Sequence, residues 1–233
     1  MVSKRLIVAI DGPSGAGKGT VARAVAARLG YRHVDTGAMY RAVAWRALHD
    51  GVDVADEAAV AALGERAVFD LEQGRVAIDG HDVAAAIRTP EMDKAATTVA
   101  RHPAVRRVLV ARQRAFGEHG GVVMEGRDIG TVVFPDADLK IYLDASPEER
   151  ARRRATDPAH AASKSTILTD VALALAERDK SDSTRAVSPL TIASDAVVID
   201  TTGVPIGDVI EKVLELVARA DARGPGPDAR ISR

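Results

Sequence analysis

Nine residues near the N-terminus carry the most specific chemical signal in the chain. Gly12-Pro13-Ser14-Gly15-Ala16-Gly17-Lys18-Gly19-Thr20 sets three spaced glycines ahead of a lysine. Gly12, Gly15 and Gly17 admit backbone conformations closed to residues with a Cβ. Such a loop can turn its N–H groups inward around phosphate oxygens. Lys18 adds a compact positive charge suited to the β- and γ-phosphates of a nucleoside triphosphate. In the general phosphate-binding motif Ser or Thr directly follows the lysine. Here Gly19 takes that place, and the hydroxyl expected near Mg²⁺ moves to Thr20. A second set of groups lies elsewhere. Arg41, Arg127, Arg178 and Arg185 fall near the ends of predicted elements, where side chains can converge. A guanidinium fork grips phosphate in a bidentate way, and each charge-assisted bond is worth ~1.5–3 kcal/mol. Taken singly, any of these arginines reads as a solvated surface residue. Glu125 closes an apolar run, where a P-loop enzyme places an acid to order Mg²⁺ and its waters. An ion pair with a neighbouring arginine is the other reading of Glu125. The combined chemistry is phosphoryl transfer between two anionic substrates.

These groups need a scaffold, and the hydrophobic pattern supplies one. Residues 6–10 form a continuous apolar run, as in a strand buried on both faces of a parallel sheet. Residues 18–29 repeat apolar positions at helical spacing and stop at Gly30. A short strand over 33–35 leads into a helix through about residue 48, and 56–68 reads as another helix. Residues 68–71 and 75–78, turning at Gln73-Gly74 and ending in Asp79-Gly80, read as a small antiparallel hairpin. Helical stretches follow over 90–101 and 104–116, divided at Pro103. Strands are expected over 122–125, 139–143 and 196–200. Ser146-Pro147-Glu148-Glu149 reads as a reciprocal capping box opening a helix. Residues 165–180 and 205–220 are helical in pattern, and 221–233 reads as disordered. Alternating strands and helices predict an α/β fold, a parallel sheet with helices on both faces.

Composition narrows the function classes. Thirty-two basic and 33 acidic residues give a net charge of −1, which argues against a nucleic-acid partner. The absence of cysteine excludes disulfides, thiolate metal sites and a cysteine nucleophile. The six histidines show no ligand spacing, and Trp45 reads as packing within a helix. The apolar run at 6–10 is too short for a secretory leader, and no stretch nears the roughly 20 residues of a membrane helix. A cytoplasmic monomer is the expectation. A GTPase switch would need a guanine-reading Asn-Lys-x-Asp stretch, which is absent. Asp200-Thr201-Thr202-Gly203 has a switch-like form but lies beyond the last predicted strand and reads as a strand exit. A phosphate-sensing module without catalysis leaves the arginines and carboxylates unexplained.

The loop is of the nucleoside-monophosphate-kinase form. Together with Asp35-Thr-Gly-Ala-Met-Tyr-Arg41, Gly126-Arg-Asp-Ile-Gly-Thr-Val-Val-Phe-Pro-Asp136 and Arg178-Asp-Lys-Ser-Asp182-Ser-Thr-Arg185, it resembles bacterial cytidylate kinases from about residue 6 to 220. The resemblance implies Mg²⁺-dependent transfer from ATP to CMP or dCMP. It also implies one domain over 1–220, with an acceptor-binding insert at about 65–103 and a lid at about 150–180. Carried over by position, Arg41 and Arg127 hold the acceptor phosphate, and Thr97, Arg106 and Asp128 read the cytosine. Asp182 binds the pentose, and Arg178 and Arg185 sit on the phosphates being joined. Thr36 and Thr97 stand where family members often have Ser, so a hydroxyl is kept at both. Cytosine offers an N4 amine where uracil offers a carbonyl, so Asp128 suits cytosine. Asp128 as the partner that orients Arg127 or Arg106 is the alternative. The runner-up function is a P-loop kinase for another small acceptor, such as shikimate.

Overall fold

A computed structural model describes residues 5–71, 75–157 and 168–223. Five parallel strands, β1 (Ile7–Asp11), β2 (Arg32–Asp35), β6 (Val122–Glu125), β7 (Leu139–Asp144) and β8 (Val197–Asp200), form one sheet in the order β2-β6-β1-β7-β8. The pleat of β1 sends Val8 and Ile10 to one face and Ala9 to the other. Helices α1 (Lys18–Leu29) and α8 (Ile206–Arg223) cover the first face, with Val21, Val25, Val209, Val213 and Val217 buried there. Helices α2 (Thr36–His49), α3 (Glu57–Arg66), α4 (Pro90–Val99) and α5 (Pro103–Gly117) build the second core around Met39, Val43, Leu109 and Met124. With few aromatic residues, both cores are assembled from Ala, Val, Leu, Ile and Met, joined by Tyr40 in the second, each larger side chain contributing ~1.5–3 kcal/mol on burial.

Local sequence explains most element ends. Gly30 stops α1 by adopting φ 63°, a left-handed conformation. Asp35 and Asp56 cap α2 and α3 by accepting from Ala38 N at 2.9 Å and Ala59 N at 3.0 Å. Register then brings the strands' carboxyl ends together. Ile10 pairs with Glu125, and Glu125 with Asp35, so the acids at the ends of β1, β2 and β6 share one sheet edge. In open α/β sheets that edge is where ligands bind.

Three expectations need correction, and one element had no counterpart among them. The hairpin is a separate three-stranded sheet, β3 (Phe69–Asp70), β4 (Ala77–Ile78) and β5 (His81–Asp82), because the chain turns again at Asp79-Gly80. Only half of the capping box forms at α6 (Pro147–Thr156). Ser146 accepts from Glu149 N at 3.2 Å, but the Glu149 carboxylate turns to Arg152 and Arg153, and Ser146 N donates to Thr202 Oγ1. Ile129–Val133 forms a π-helical turn that no periodicity announced. Residues 221–223, read as disordered, continue α8. The N-terminal residues 1–4, the Gln73-Gly74 turn, residues 158–167 and residues 224–233 lie outside the described residues. So does the start of the helix expected from 165, whose described part is α7 (Leu168–Ser183).

Candidate active site

A cleft of about 1180 Å³ opens along the carboxyl edge of the five-stranded sheet. All the residues singled out in the sequence line it except Gly12, Pro13 and Ala16, which are buried within the loop itself. The loop is held from behind. Arg150 of α6 donates to Ser14 O at 3.2 Å and to Ala145 O at 3.1 Å, and it pairs with Asp179 of α7. Gly15 adopts φ 82°, and a Cβ there would meet the Arg150 backbone oxygen at 2.9 Å. No other residue allows both the turn and the approach.

The loop's donors are arranged for an anion. Gly17 begins α1 without any side-chain cap, so the helix's first amides keep their donor capacity for a ligand. Lys18 is buried and donates to Pro13 O at 2.7 Å. Burial, with the nearby Arg127 charge, brings its ammonium down to about 7. Gly19 sits close to the acid at the end of β6. A Cβ at that position would lie 3.3 Å from Glu125 Oε1. A side chain there would crowd the Glu125 carboxylate, and Thr20 carries the hydroxyl along the cleft wall.

The opposing wall is a lattice of arginines and carboxylates. Arg41 of α2 donates to Asp35 Oδ2 at 3.0 Å. Arg127, just after β6, donates to Asp182 Oδ2 at 2.9 Å, and Arg185 donates to Asp182 Oδ1 at 3.2 Å. Burial works against the Arg127 charge, but the Asp182 carboxylate outweighs it and holds the guanidinium above its usual value. Asp182 likewise sits below the carboxylate range, where Arg127 and Arg185 outweigh burial. Asp93 of α4 takes Arg154 on one oxygen and Arg178 on the other, the latter at 3.2 Å. Burial, reinforced by Arg127, lowers Arg178 to about 10. Arg106 of α5 and Asp128 form a pair with side chains only 3% and 8% exposed. Arg106 Nε has no partner there, and its guanidinium stacks 5.5 Å from the Tyr40 ring centroid. Thr97 Oγ1 donates to Asp93 O at 2.8 Å, and Thr36 Oγ1 to Glu125 O at 2.7 Å. Arg41 and Arg178 stand inside helices, not at their ends as the sequence suggested.

The family model for cytidylate kinase matches residues 8–219. The chain belongs to the cytidylate kinase family. It is 50% identical over 215 residues to the cytidylate kinase of Solibacter usitatus (strain Ellin6076), covering 92% of this chain and 93% of that one. It is 47% identical to the cytidylate kinase of Geobacillus kaustophilus (strain HTA426), over 93% and 98% of the two chains. A bifunctional pantoate ligase/cytidylate kinase of Prochlorococcus marinus (strain MIT 9303) is 48% identical over 93% of this chain, which spans 45% of that longer protein. Among solved structures, a shikimate kinase from Bacteroides thetaiotaomicron aligns at a TM-score of 0.50 with 12% identity, over 91% of this chain and 98% of that one. That likeness is one of fold alone.

Within this cytidylate kinase fold, sequence reasoning missed several groups in the cleft wall and behind it. Arg150, Arg153 and Arg154 recur at helical spacing in α6 and were readable as one face. His33, treated as bland, donates or accepts at Glu125 Oε1 at 2.9 Å, so the partner of Glu125 is a histidine and not an arginine. Only the β2–β6 register reveals that pairing. Asp93 gave no signal, because its partners lie 61 and 85 residues away. Among the described residues no group of three His, Cys, Asp or Glu side chains could hold a metal by itself, and no helix is long and apolar enough to cross a membrane.

Proposed function

We infer that this chain transfers the γ-phosphate of ATP to CMP or dCMP, giving CDP or dCDP, as a cytoplasmic monomer without nucleic acid. The observation that carries the reading is the opposition, across one cleft, of an uncapped glycine loop with a buried lysine and a wall of carboxylate-paired arginines. Two anionic substrates repel each other unless both are gripped, and phosphoryl transfer is mostly positioning with charge stabilisation.

In this reading Gly12 to Thr20 cradle the donor phosphates, with Lys18 on the β- and γ-oxygens. Arg41 and Arg127 hold the acceptor phosphate, each preset by a carboxylate, Asp35 and Asp182. A preset guanidinium loses less rotamer freedom on binding. Arg178 and Arg185 stabilise charge on the phosphoryl group in flight. Asp182 meets the pentose. Asp128 accepts from the cytosine N4 amine with the oxygen that Arg106 does not use, while Arg106 and Thr97 meet the remaining polar edge. The acceptor-binding insert would lie at about 65–103 and the lid at about 150–180. Glu125 and the Thr20 hydroxyl would hold Mg²⁺, which neutralises donor phosphate charge when bound. The donor set fits an ion that takes most of its ligands from phosphate and water.

The test is an ADP-release assay with ATP and CMP, dCMP, UMP, AMP, GMP or shikimate. Turnover with CMP and dCMP well above the others supports the reading. Activity with shikimate alone moves the chain to another acceptor class, and ATP or GTP hydrolysis without any acceptor contradicts transfer.

A further inference from the structure

Asp11 has no part in the scheme above, yet it is one of the most buried carboxylates in the molecule, 5% exposed. It is the last residue of β1 and directly precedes Gly12. Its Oδ1 accepts from Ile129 N at 2.9 Å and its Oδ2 from Gly130 N at 2.8 Å. Those are the first two amides of the π-helical turn Ile129–Val133, and the residue at the cap position, Asp128, offers that turn no side-chain cap. The missing cap thus arrives from another strand, 118 residues away in sequence. Gly130 fits this closeness. A Cβ there would lie 3.4 Å from Asp11 Oδ2 and 3.1 Å from Lys140 Cδ.

The anchored amides follow immediately after Arg127 and Asp128, the residues assigned to the acceptor's phosphate and base. Fixing positions 129 and 130 fixes the backbone from which both side chains depart. We propose that Asp11 is a positioning residue that ties the acceptor-reading turn to the root of the donor loop, keeping acceptor contacts in register with the transferred phosphate. The inference rests on the acceptor assignment above. Its surroundings agree with a structural tie. Lys18 of α1, Asp128 and Tyr142 of β7 are the charged or titratable groups that face it, and both carboxylate oxygens are spent on backbone amides and not on the lysine.

The test is Asp11→Asn, nearly isosteric, with steady-state kinetics in both substrates and calorimetry of ATP alone. The amide keeps one acceptor and turns a donor toward the other backbone N–H. KM for CMP should rise at least about tenfold, the size expected when one bond to a charged group is lost. KM for ATP and the calorimetric Kd for ATP should stay within about twofold. Equal losses for ATP and CMP, or an unchanged KM for CMP, overturn the proposal. Should Asp11→Asn fail to fold, Asp11→Glu keeps both carboxylate acceptors but lengthens the tie, and should give the same one-sided loss. Equal losses there also overturn it. A wild-type protein that does not phosphorylate CMP overturns the acceptor assignment itself, whereas normal CMP turnover with an unaltered Asp11→Asn KM overturns only the role of Asp11.

Discussion

Asp128→Asn separates reading a base from holding an arginine. In the structure one Asp128 oxygen is taken by Arg106, and the side chain is 8% exposed. The free oxygen would meet N4 of CMP as a donor but O4 of UMP as a second acceptor. A buried acceptor left unpaired costs ~1–3 kcal/mol, more when charged. At 1.4 kcal/mol per decade this contact contributes at least about ten- to hundredfold to the CMP/UMP ratio in kcat/KM. The asparagine presents either a donor or an acceptor after an amide flip, so that ratio should fall toward unity while the KM for ATP changes little. The same substitution strips Arg106 of its counter-charge at a site 3% exposed, and breaking one half of a buried pair costs ~3–5 kcal/mol. Thermal stability should therefore fall together with specificity. A coupled assay at saturating ATP, with CMP and UMP compared side by side, measures the first effect, and calorimetric melting the second. Glu125→Gln is the control: it should depress turnover and alter Mg²⁺ dependence without relaxing base choice. A lowered Tm with an intact CMP/UMP ratio would refute the base-reading role and leave Asp128 only as the partner of Arg106.

Lys18→Ala should lower kcat by orders of magnitude while calorimetric CMP affinity largely survives, because the proposed scheme puts the lysine on the donor phosphates; near-normal turnover would remove it from the reaction. Arg41→Ala and Arg127→Ala should each weaken CMP binding far more than cytidine binding, and equal losses for the two ligands would point to a structural role. The Asp11 carboxyl rises from 3.8 to about 6 because burial disfavours its charge. That charge is therefore a cost to the fold fully present above about pH 6 and absent below 3.8, worth ~3 kcal/mol. In urea unfolding, the wild type should accordingly gain up to about 3 kcal/mol on Asp11→Asn between pH 7 and pH 4; an offset independent of pH would contradict it.

The glycine loop and its lysine were legible because their determinants are local. An apolar run, spaced glycines, a lysine and a terminating glycine fixed β1, the loop and α1 within a residue. The wall of arginines and carboxylates was legible as residue types but not as geometry. The π-helical turn takes its cap from Asp11, Arg154 and Arg178 are paired by Asp93, and Glu125 meets His33, all long-range partners that no periodicity encodes. The third strand of the small sheet was missed because two-residue strands carry no alternation to read. Glu149 forsook the Ser146 amide because two arginines one turn further along α6 offered it charge-assisted bonds.

The most direct test follows the phosphoryl group itself. Purified protein is incubated with ATP labelled at the γ-phosphate and with CMP, and the products are separated by anion exchange. The label should appear in the β-phosphate of CDP in step with ADP, with little in inorganic phosphate and far less in UDP when UMP replaces CMP. Label released as inorganic phosphate regardless of CMP, or passed to UMP as fast as to CMP, would contradict a cytosine-selective phosphoryl transfer.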